Sequence, residues 1–195
     1  MYRHCIKPVF DWVIALSAII ILLPVLVIVS AVIKIDSPGP VFFCQNRLGQ
    51  NGRIFKIFKF RSMWNEVTAQ GGETLYESDP RITHVGKILR KTSLDELPQL
   101  INILKGEMSF IGPRPPVTSY PKKYEDYTDF ERKRFEVKPG ISGLAAVKCR
   151  EIHDWNINIP IDVEYVNTIS FLNDMKLFII SLSAFLRTDN IYSRK

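Results

Sequence analysis

The sequence has few cysteines and none of the short motifs that mark the commonest nucleotide and zinc sites. Its three cysteines, Cys5, Cys44 and Cys149, are odd in number and form no CxxC pair. This argues against a disulfide framework or a structural zinc site and favours a reducing compartment. We expect them to be small buried apolar side chains. The sequence also contains no P-loop, GxGxxG or HExxH motif and no internal repeat.

Charged side chains are missing altogether from Trp12 to Ile33. As a helix, these 22 residues would be about 33 Å long, enough to cross a hydrocarbon core of about 30 Å. The run is longer than the apolar core of a cleaved signal peptide, which is usually about 7–15 residues. The segment is therefore predicted to lie in a membrane.

Pro24 lies near the middle of this apolar segment, where its ring clashes with the carbonyl group of Ile20 in a regular helix. One interpretation is a kinked helix that spans the membrane. The other is a helix that bends at Pro24 and leaves through the face by which it entered. Cations precede the segment at Arg3 and Lys7 and follow it at Lys34. They favour the second interpretation, because positive residues prefer the cytoplasmic side.

The next part of the chain predicts a body with both helices and strands. Residues 36–40, DSPGP, indicate a turn that leads into a short strand. Asn51-Gly52 is typical of a hairpin turn, and alternating apolar and basic residues follow it. A helix is predicted to end near Lys105-Gly106, with a cation in its last turn and a glycine cap.

Three further stretches are predicted from composition and pattern. Residues 68–80 are polar and contain glycine, which indicates a loop, and residues 120–138 are charged with a helical pattern. Residues 171–187 are apolar on more than one helix face. They are expected to form either a core helix or a helix in the membrane interface.

The net charge of +6 favours an anionic partner: nucleic acid, an anionic membrane face or phosphorylated substrates. Every charged residue between positions 45 and 65, and again between 81 and 94, is a cation. Two adjacent acids, Asp95 and Glu96, follow this basic region. The central question of the sequence is what these two acids do.

A structural interpretation and a functional one compete for the acid pair. Ser93 and Glu96 have the spacing of a helix capping box, although that helix would contain Pro98 in its interior. A helix that starts nearer Pro98 would leave both acids at its positive end, which favours their ionised forms. The functional interpretation is phosphoryl transfer, in which cations neutralise phosphate oxygens and a carboxylate attacks phosphorus. Spacing alone does not decide between them.

Three blocks of sequence, FKIFKFRSM, GKILRKTSLDELPQLINILKGEMSFIGPRP and VKPGISG, follow the apolar segment in this order. Together they resemble the bacterial sugar transferases, and more narrowly the small monotopic polyprenol-phosphate phosphoglycosyl transferases. The resemblance covers nearly the whole chain. It implies transfer of a phosphosugar from a UDP-sugar to undecaprenyl phosphate with release of UMP. This step would begin the assembly of a surface glycan (capsule, exopolysaccharide, O-antigen or glycoprotein).

The resemblance also implies roles for particular residues. Asp95 is expected to be the nucleophile that forms a covalent phosphosugar intermediate. Glu96 would assist it, either as a Mg²⁺ ligand or as the group that accepts the proton of the lipid phosphate. Both acids are candidate Mg²⁺ ligands. The candidate substrate-binding cations are Lys59, Arg61, Arg90 and Arg114.

The architecture implied by the resemblance is α+β and predominantly helical, with a small β-hairpin, in a monotopic membrane protein. Residues 1–35 would form a re-entrant helix broken at Pro24. Residues 36–195 would form a catalytic domain that rests through interfacial helices on the cytoplasmic face of the bacterial inner membrane. Leu23 replaces the serine that usually precedes the proline, and Ala146–Cys149 departs from the family pattern, so we assign no binding role to those four residues.

The expected partners are the UDP-sugar donor, undecaprenyl phosphate, membrane lipids and downstream glycosyltransferases. Nucleic acid is not expected, because the chain has no recognisable nucleic-acid-binding motif. The alternative function is that of a membrane-anchored basic binding or scaffold protein without catalysis. The oligomeric state, the donor sugar and the glycan pathway stay open.

Overall fold

In the computed structural model, which describes residues 1–64, 79–149 and 154–186, the chain is mainly helical with small sheets. The helices are α1 (Lys7–Asp36), α2 (His84–Lys91), α3 (Gln99–Leu104), α4 (Asp129–Arg132), α5 (Leu144–Lys148), α6 (Trp155–Thr168) and α7 (Phe171–Leu186). The strands are β1 (Phe42–Leu48), β2 (Ile54–Phe60), β3 (Ser109–Ile111) and β4 (Gly140–Ser142). The predicted α+β class with a dominant helical content is confirmed. Most of the polar loop predicted for residues 68–80 lies outside the described residues.

The predicted hairpin is formed by β1 and β2, which pair antiparallel with Arg47 opposite Phe55. Its connection contains Asn51 and Gly52, both in the left-handed region at φ 55° and 73°. Asparagine and glycine adopt this conformation more readily than other residues. The dipeptide therefore sets the register of the hairpin, as the sequence predicts.

A second sheet, formed by β3 and β4, was not predicted. The strands are parallel and only three residues long, so they carry no readable alternation of apolar and polar residues. The backbones of Gly112 and Gly140 approach so closely that a Cβ atom on Gly140 would collide with the amide nitrogen of Gly112. This contact explains the glycines at positions 112 and 140.

Helix α1 is covered by the body on one face only. Ala15 is fully buried and lies in one core cluster with residues of β2 and α3 such as Phe55 and Leu100. Further along the helix, Val29 and Ile33 lie in another cluster with Phe60 and Leu89. In the most apolar 18-residue stretch of the segment 2–36, only 11% of the residues are buried. Such exposure does not fit the core helix of a soluble protein.

Both halves of α1 are tied to the same body. Near its N-terminus the Asp11 carboxylate accepts a hydrogen bond from the backbone N–H of Phe110 (3.3 Å). At its C-terminus the Asp36 carboxylate accepts one from the backbone N–H of Val85 (3.3 Å). These two acids are 25 residues apart, which is about 37 Å along a helix. Pro24 lies inside α1. The re-entrant break predicted there stays a prediction.

Helix α7 lies with one face on the body and leaves apolar side chains on the other. Asp174 and Leu177 are buried, and Asp174 forms an ion pair with Lys7 of α1 (2.8 Å). Leu172 and Ile179 are 79% and 59% exposed. The outer face is too exposed for a core helix, and the interfacial interpretation of this segment stays a prediction.

Two expectations from the sequence were wrong in detail. The charged stretch 120–138 is not one helix but α4 between short 3₁₀ turns. The rings of Tyr124 and Tyr127 both pack against Phe135 (5.3 and 5.1 Å between centroids), and this aromatic packing replaces a continuous helical stripe. Cys5 and Cys44 are free and exposed instead of buried.

Candidate active site

The acid pair lies in a short 3₁₀ turn, Leu94–Glu96, between α2 and α3. Ser93 adopts the left-handed backbone conformation at φ 55°. Its side chain makes no capping hydrogen bond, so the capping box is not formed. Helix α3 begins at Gln99, directly after Pro98, because proline is accepted at a helix start but not in its interior. The pair therefore belongs to a connection between helices.

Apolar and polar contacts fix this turn against α1 and β2. Leu94 and Leu97, on either side of the acids, pack against the cluster that contains Ile33 of α1. Asn102 of α3 is fully buried; it accepts a hydrogen bond from the N–H of Phe58 (3.0 Å) and donates to the carbonyl of Lys56 (2.7 Å). These contacts hold the turn beside the last residues of β2.

The side chain of Lys59 bridges β2 to the turn. Its Nζ lies 2.6 Å from Oε1 of Glu96, with both side chains partly exposed. Lys59 lies on the same strand face as Phe55 and Ile57, the face that packs on α3, because side chains alternate along a strand. Asp95 is 8% exposed. A cation predicted from the KFR motif is thus joined directly to the acid pair.

Two other predicted cations also act on the acids. Arg90, in the last turn of α2, helps to lower the pKa of Asp95. Arg114 is exposed in the loop between β3 and α4, and it helps to lower the pKa of Glu96. The structure therefore brings Lys59, Arg90 and Arg114 together around the two acids.

Arg61 is placed differently. Its guanidinium group is buried and donates to the carbonyl oxygens of Pro38 (2.7 Å) and Ser37 (2.7 Å), just after α1. These bonds secure the turn that connects α1 to the hairpin. The structure does not bring Arg61 to the acid pair, and its substrate contact stays a prediction.

Arg47 is a residue of the site that the sequence analysis missed. It donates to the carbonyl of Pro115 (3.0 Å) and to the side chain of Gln45, and its charge helps to lower the pKa of Glu96. Residues directly opposite in an antiparallel pair lie on the same face of the sheet. Since Arg47 pairs with Phe55, it shares a face with Lys59. The hairpin register set by Asn51-Gly52 could have revealed it.

The two acids differ in pKa. Burial raises the pKa of Asp95 to about 6, against the opposing effects of Lys59 and Arg90. Burial also disfavours ionised Glu96, but the charges of Lys59, Arg114 and Arg47 outweigh it and lower the pKa of this residue. The positive end of a helix was expected to favour ionised Asp95. The pKa shift has the opposite direction, because α3 has only six residues and burial dominates.

The acid pair provides two carboxylates but not a complete metal-binding site. Within residues 1–64, 79–149 and 154–186, no group of three or more His, Cys, Asp or Glu side chains could hold a metal ion. Magnesium is often bound by one or two carboxylates with substrate phosphates and water as its other ligands. Asp95 and Glu96 fit that kind of site, in which the substrate completes the coordination.

Comparison with known proteins identifies the family. The bacterial sugar transferase family matches residues 2–188, and the chain belongs to this family. It is 36% identical over 191 residues to the UDP-glucose:undecaprenyl-phosphate glucose-1-phosphate transferase of Caulobacter vibrioides, covering 95% of this chain and 72% of that protein. It is also 36% identical over 186 residues to the uncharacterized sugar transferase EpsL of Bacillus subtilis, covering 95% and 90%.

Other relatives are considerably longer than this chain. It is 43% identical over 162 residues to the galactosyl transferase CpsE of Streptococcus agalactiae serotype III, covering 76% of this chain and 35% of that protein. It is 40% identical over 173 residues to the UDP-N-acetylgalactosamine-undecaprenyl-phosphate N-acetylgalactosaminephosphotransferase of Aeromonas hydrophila, covering 87% and 41%. The chain thus spans well under half the length of these two relatives.

The opposite pKa shifts predict opposite effects of two neutral substitutions on stability. A raised carboxyl pKa in the folded state destabilises the fold above that pKa. Asp95→Asn should therefore raise the unfolding midpoint at pH 8, and this gain should shrink as the pH falls from about 6 to about 4. Thermal unfolding in detergent across this pH range measures it.

Glu96→Gln is the matched comparison. Because the pKa of Glu96 is lowered in the folded state, its ionised form stabilises the fold above the ordinary carboxyl pKa. This variant should lower the unfolding midpoint at pH 8. A lower midpoint for Asp95→Asn at pH 8, or the same direction of change in both variants, would contradict the assigned electrostatics.

Proposed function

We propose that the chain is a UDP-sugar:undecaprenyl-phosphate sugar-1-phosphate transferase. The observation that carries the proposal is the nearly buried Asp95, adjacent to Glu96 and surrounded by Lys59, Arg90 and other cations. The family and the printed activities of the Caulobacter and Aeromonas relatives support it. The product would be the first lipid-linked sugar of a surface glycan, and downstream glycosyltransferases would extend it.

In the first step of the proposed reaction, a carboxylate oxygen of Asp95 attacks the sugar-bearing phosphorus of the UDP-sugar. A bond forms between this oxygen and phosphorus, the phosphoanhydride bond breaks, and UMP leaves. Arg90 and Arg114 would neutralise the phosphate oxygens as charge moves toward UMP. With a pKa of about 6, Asp95 is mostly ionised at neutral pH and keeps more basicity than an ordinary aspartate.

In the second step, a phosphate oxygen of undecaprenyl phosphate attacks the same phosphorus and Asp95 departs as a carboxylate. A phosphate monoester has its second pKa near 6, so the attacking group is mostly a dianion at neutral pH and has no proton to lose. The lowered pKa of Glu96 makes it a weak base. Of the two roles expected for Glu96, metal ligand is therefore the one we propose.

Magnesium bound by Asp95 and Glu96 would neutralise phosphate charge and orient the diphosphate of the UDP-sugar. The cations of the protein act on the same phosphates. Lys59 pairs with Glu96, which keeps this acid ionised and restricts its position. Arg134 and Arg47 donate hydrogen bonds to the backbone carbonyls of Arg114 and Pro115. The exposed side chain of Arg114 would contact the substrate.

The contacts of α1 support a monotopic arrangement. Its ends, near Asp11 and Asp36, both bond to the same body, although about 37 Å of straight helix would separate them, more than a hydrocarbon core of about 30 Å. A helix that crossed the membrane could not keep both contacts on one side. We propose that residues 1–35 enter the cytoplasmic face of the bacterial inner membrane and return to it, with residues 36–195 as the cytoplasmic domain.

Release of UMP tests the proposed activity. Membranes that contain the protein, supplied with Mg²⁺, undecaprenyl phosphate and a panel of UDP-sugars, should release UMP with at least one donor. Asp95→Asn should lower the rate by at least about 10³-fold, because the attacking group is lost, and chelation of the metal should stop the reaction.

The outcomes of this assay separate the alternatives. Release of UMP without the lipid acceptor at the full rate would indicate a hydrolase. No release with any donor, together with retained membrane binding, would indicate the scaffold alternative. Full activity of Asp95→Asn would contradict the assigned nucleophile.

The proposed topology places Cys5 on the cytoplasmic side. Cys5 is exposed in the structure, and a variant with Cys44→Ser and Cys149→Ser leaves it as the only thiol. A membrane-impermeant thiol reagent should label this variant only after the cells are permeabilised. Labelling of intact cells would contradict the re-entrant arrangement.

A further inference from the structure

The loop of residues 113–116 is held at every backbone carbonyl. The four oxygens, from Pro113 to Pro116, accept hydrogen bonds in chain order from Gly140 N–H (3.0 Å), Arg134 Nη2 (2.8 Å), Arg47 Nη1 (3.0 Å) and Leu48 N–H (3.0 Å). The three prolines of the loop also have φ fixed by their rings. The backbone is therefore rigid, while the side chain of Arg114 is exposed.

Arg134 donates to the carbonyl of Arg114 itself, and its own position is fixed by several contacts. Its guanidinium group is fully buried; Nε and Nη2 donate to Oδ2 of Asp162 at 3.1 and 2.6 Å. The centre of the group lies 5.2 Å from the ring centroids of both Phe135 and Trp155. A carboxylate and two rings thus hold Arg134 while Nη2 also bonds the Arg114 carbonyl.

Helix α6 supplies two of these contacts. Trp155 and Asp162 are seven residues apart, which is about two turns, so they lie on the same face of the helix. The charge of Arg114 influences the pKa of Asp162 as well as that of Glu96, so its guanidinium group is within electrostatic reach of both acids. Arg134 and Asp162 therefore connect α6 to Arg114 of this loop.

We propose that Arg134, held by Asp162, is a positioning residue for Arg114. Its hydrogen bond to the Arg114 carbonyl fixes the backbone from which the Arg114 guanidinium reaches the phosphates of the donor. This inference rests on the proposed function. It gives the buried ion pair a role in the reaction although neither of its members touches the substrate.

Stability alone is a poor explanation of the Arg134–Asp162 pair. The cost of removing two charges from water largely offsets their attraction, and apolar residues of similar size often give an equally stable core. An apolar side chain at position 134 would pack against Phe135 and Trp155, but it could not donate to the Arg114 carbonyl. The directed hydrogen bond is what requires an arginine here.

A double-mutant cycle between Arg134 and Arg114 tests the inference. Arg134→Lys keeps the charge but cannot reach Asp162 and the Arg114 carbonyl with the same planar group. In the parent enzyme, kcat/KM for the UDP-sugar should fall about 10–100-fold, because a small displacement of a positioned group is costly. In an Arg114→Ala background the same substitution should cost less than about 3-fold, since the group it positions is gone.

Equal losses in the two backgrounds, or no loss in the parent, would overturn the inference. Arg132→Lys, the same change at a partly exposed position nearby, is the control and should leave kcat/KM unchanged. Asp162→Asn is a second variant for the cycle, because it keeps the side-chain volume and weakens the hold on Arg134. It should show a smaller loss with the same dependence on Arg114.

Hydrogen exchange provides a readout that does not depend on activity. The amides of Leu48 and Gly140 bond the two ends of the loop, so Arg134→Lys should speed their exchange while Arg132→Lys does not. Unchanged exchange at both amides in Arg134→Lys would contradict the positioning role. Release of UMP by the parent chain tests the proposed function separately from either result.

Discussion

Two adjacent carboxylates, one of them nearly buried, are the constraint around which this structure is arranged. Burying ionised acids is unfavourable unless cations lie close to them. Lys59 answers this requirement directly through its 2.6 Å contact with Glu96, and Arg47, Arg90 and Arg114 contribute from a strand, a helix and a loop. The fold brings the strand, the helix and the loop that carry these cations together around the acid pair.

Helix α1, the predicted membrane segment, also packs against the residues that carry the acid pair. Its Val29 and Ile33 pack with the leucines beside the acid pair, and Ala15 packs with the core beneath the hairpin. One helix therefore serves both parts: the face of α1 away from the body is apolar and exposed, and the face toward it supports the turn that carries the acid pair. An acceptor that is itself a membrane lipid suits this geometry.

Much of the fold and part of the site could be predicted from sequence, where local chemistry decides the structure. Asn51-Gly52 identified the hairpin turn, and Pro98 placed the start of α3 after the acids. Longer-range contacts were not readable. Arg61 was grouped with the site by its motif, although its partners lie just after α1. Arg134 and Asp162 are 28 residues apart, and no local sequence pattern in either segment predicts that they pair.

The central claim is that Asp95 forms a covalent bond to the phosphosugar, and trapping that species tests it most directly. The protein would be incubated with Mg²⁺ and a UDP-sugar radiolabelled at the sugar-bearing phosphate, without lipid acceptor, then quenched in acid and digested. Label is expected on the peptide that contains Asp95, and it should be lost when undecaprenyl phosphate is added before the quench. Release of UMP that requires the lipid and never leaves label on the protein would contradict the account.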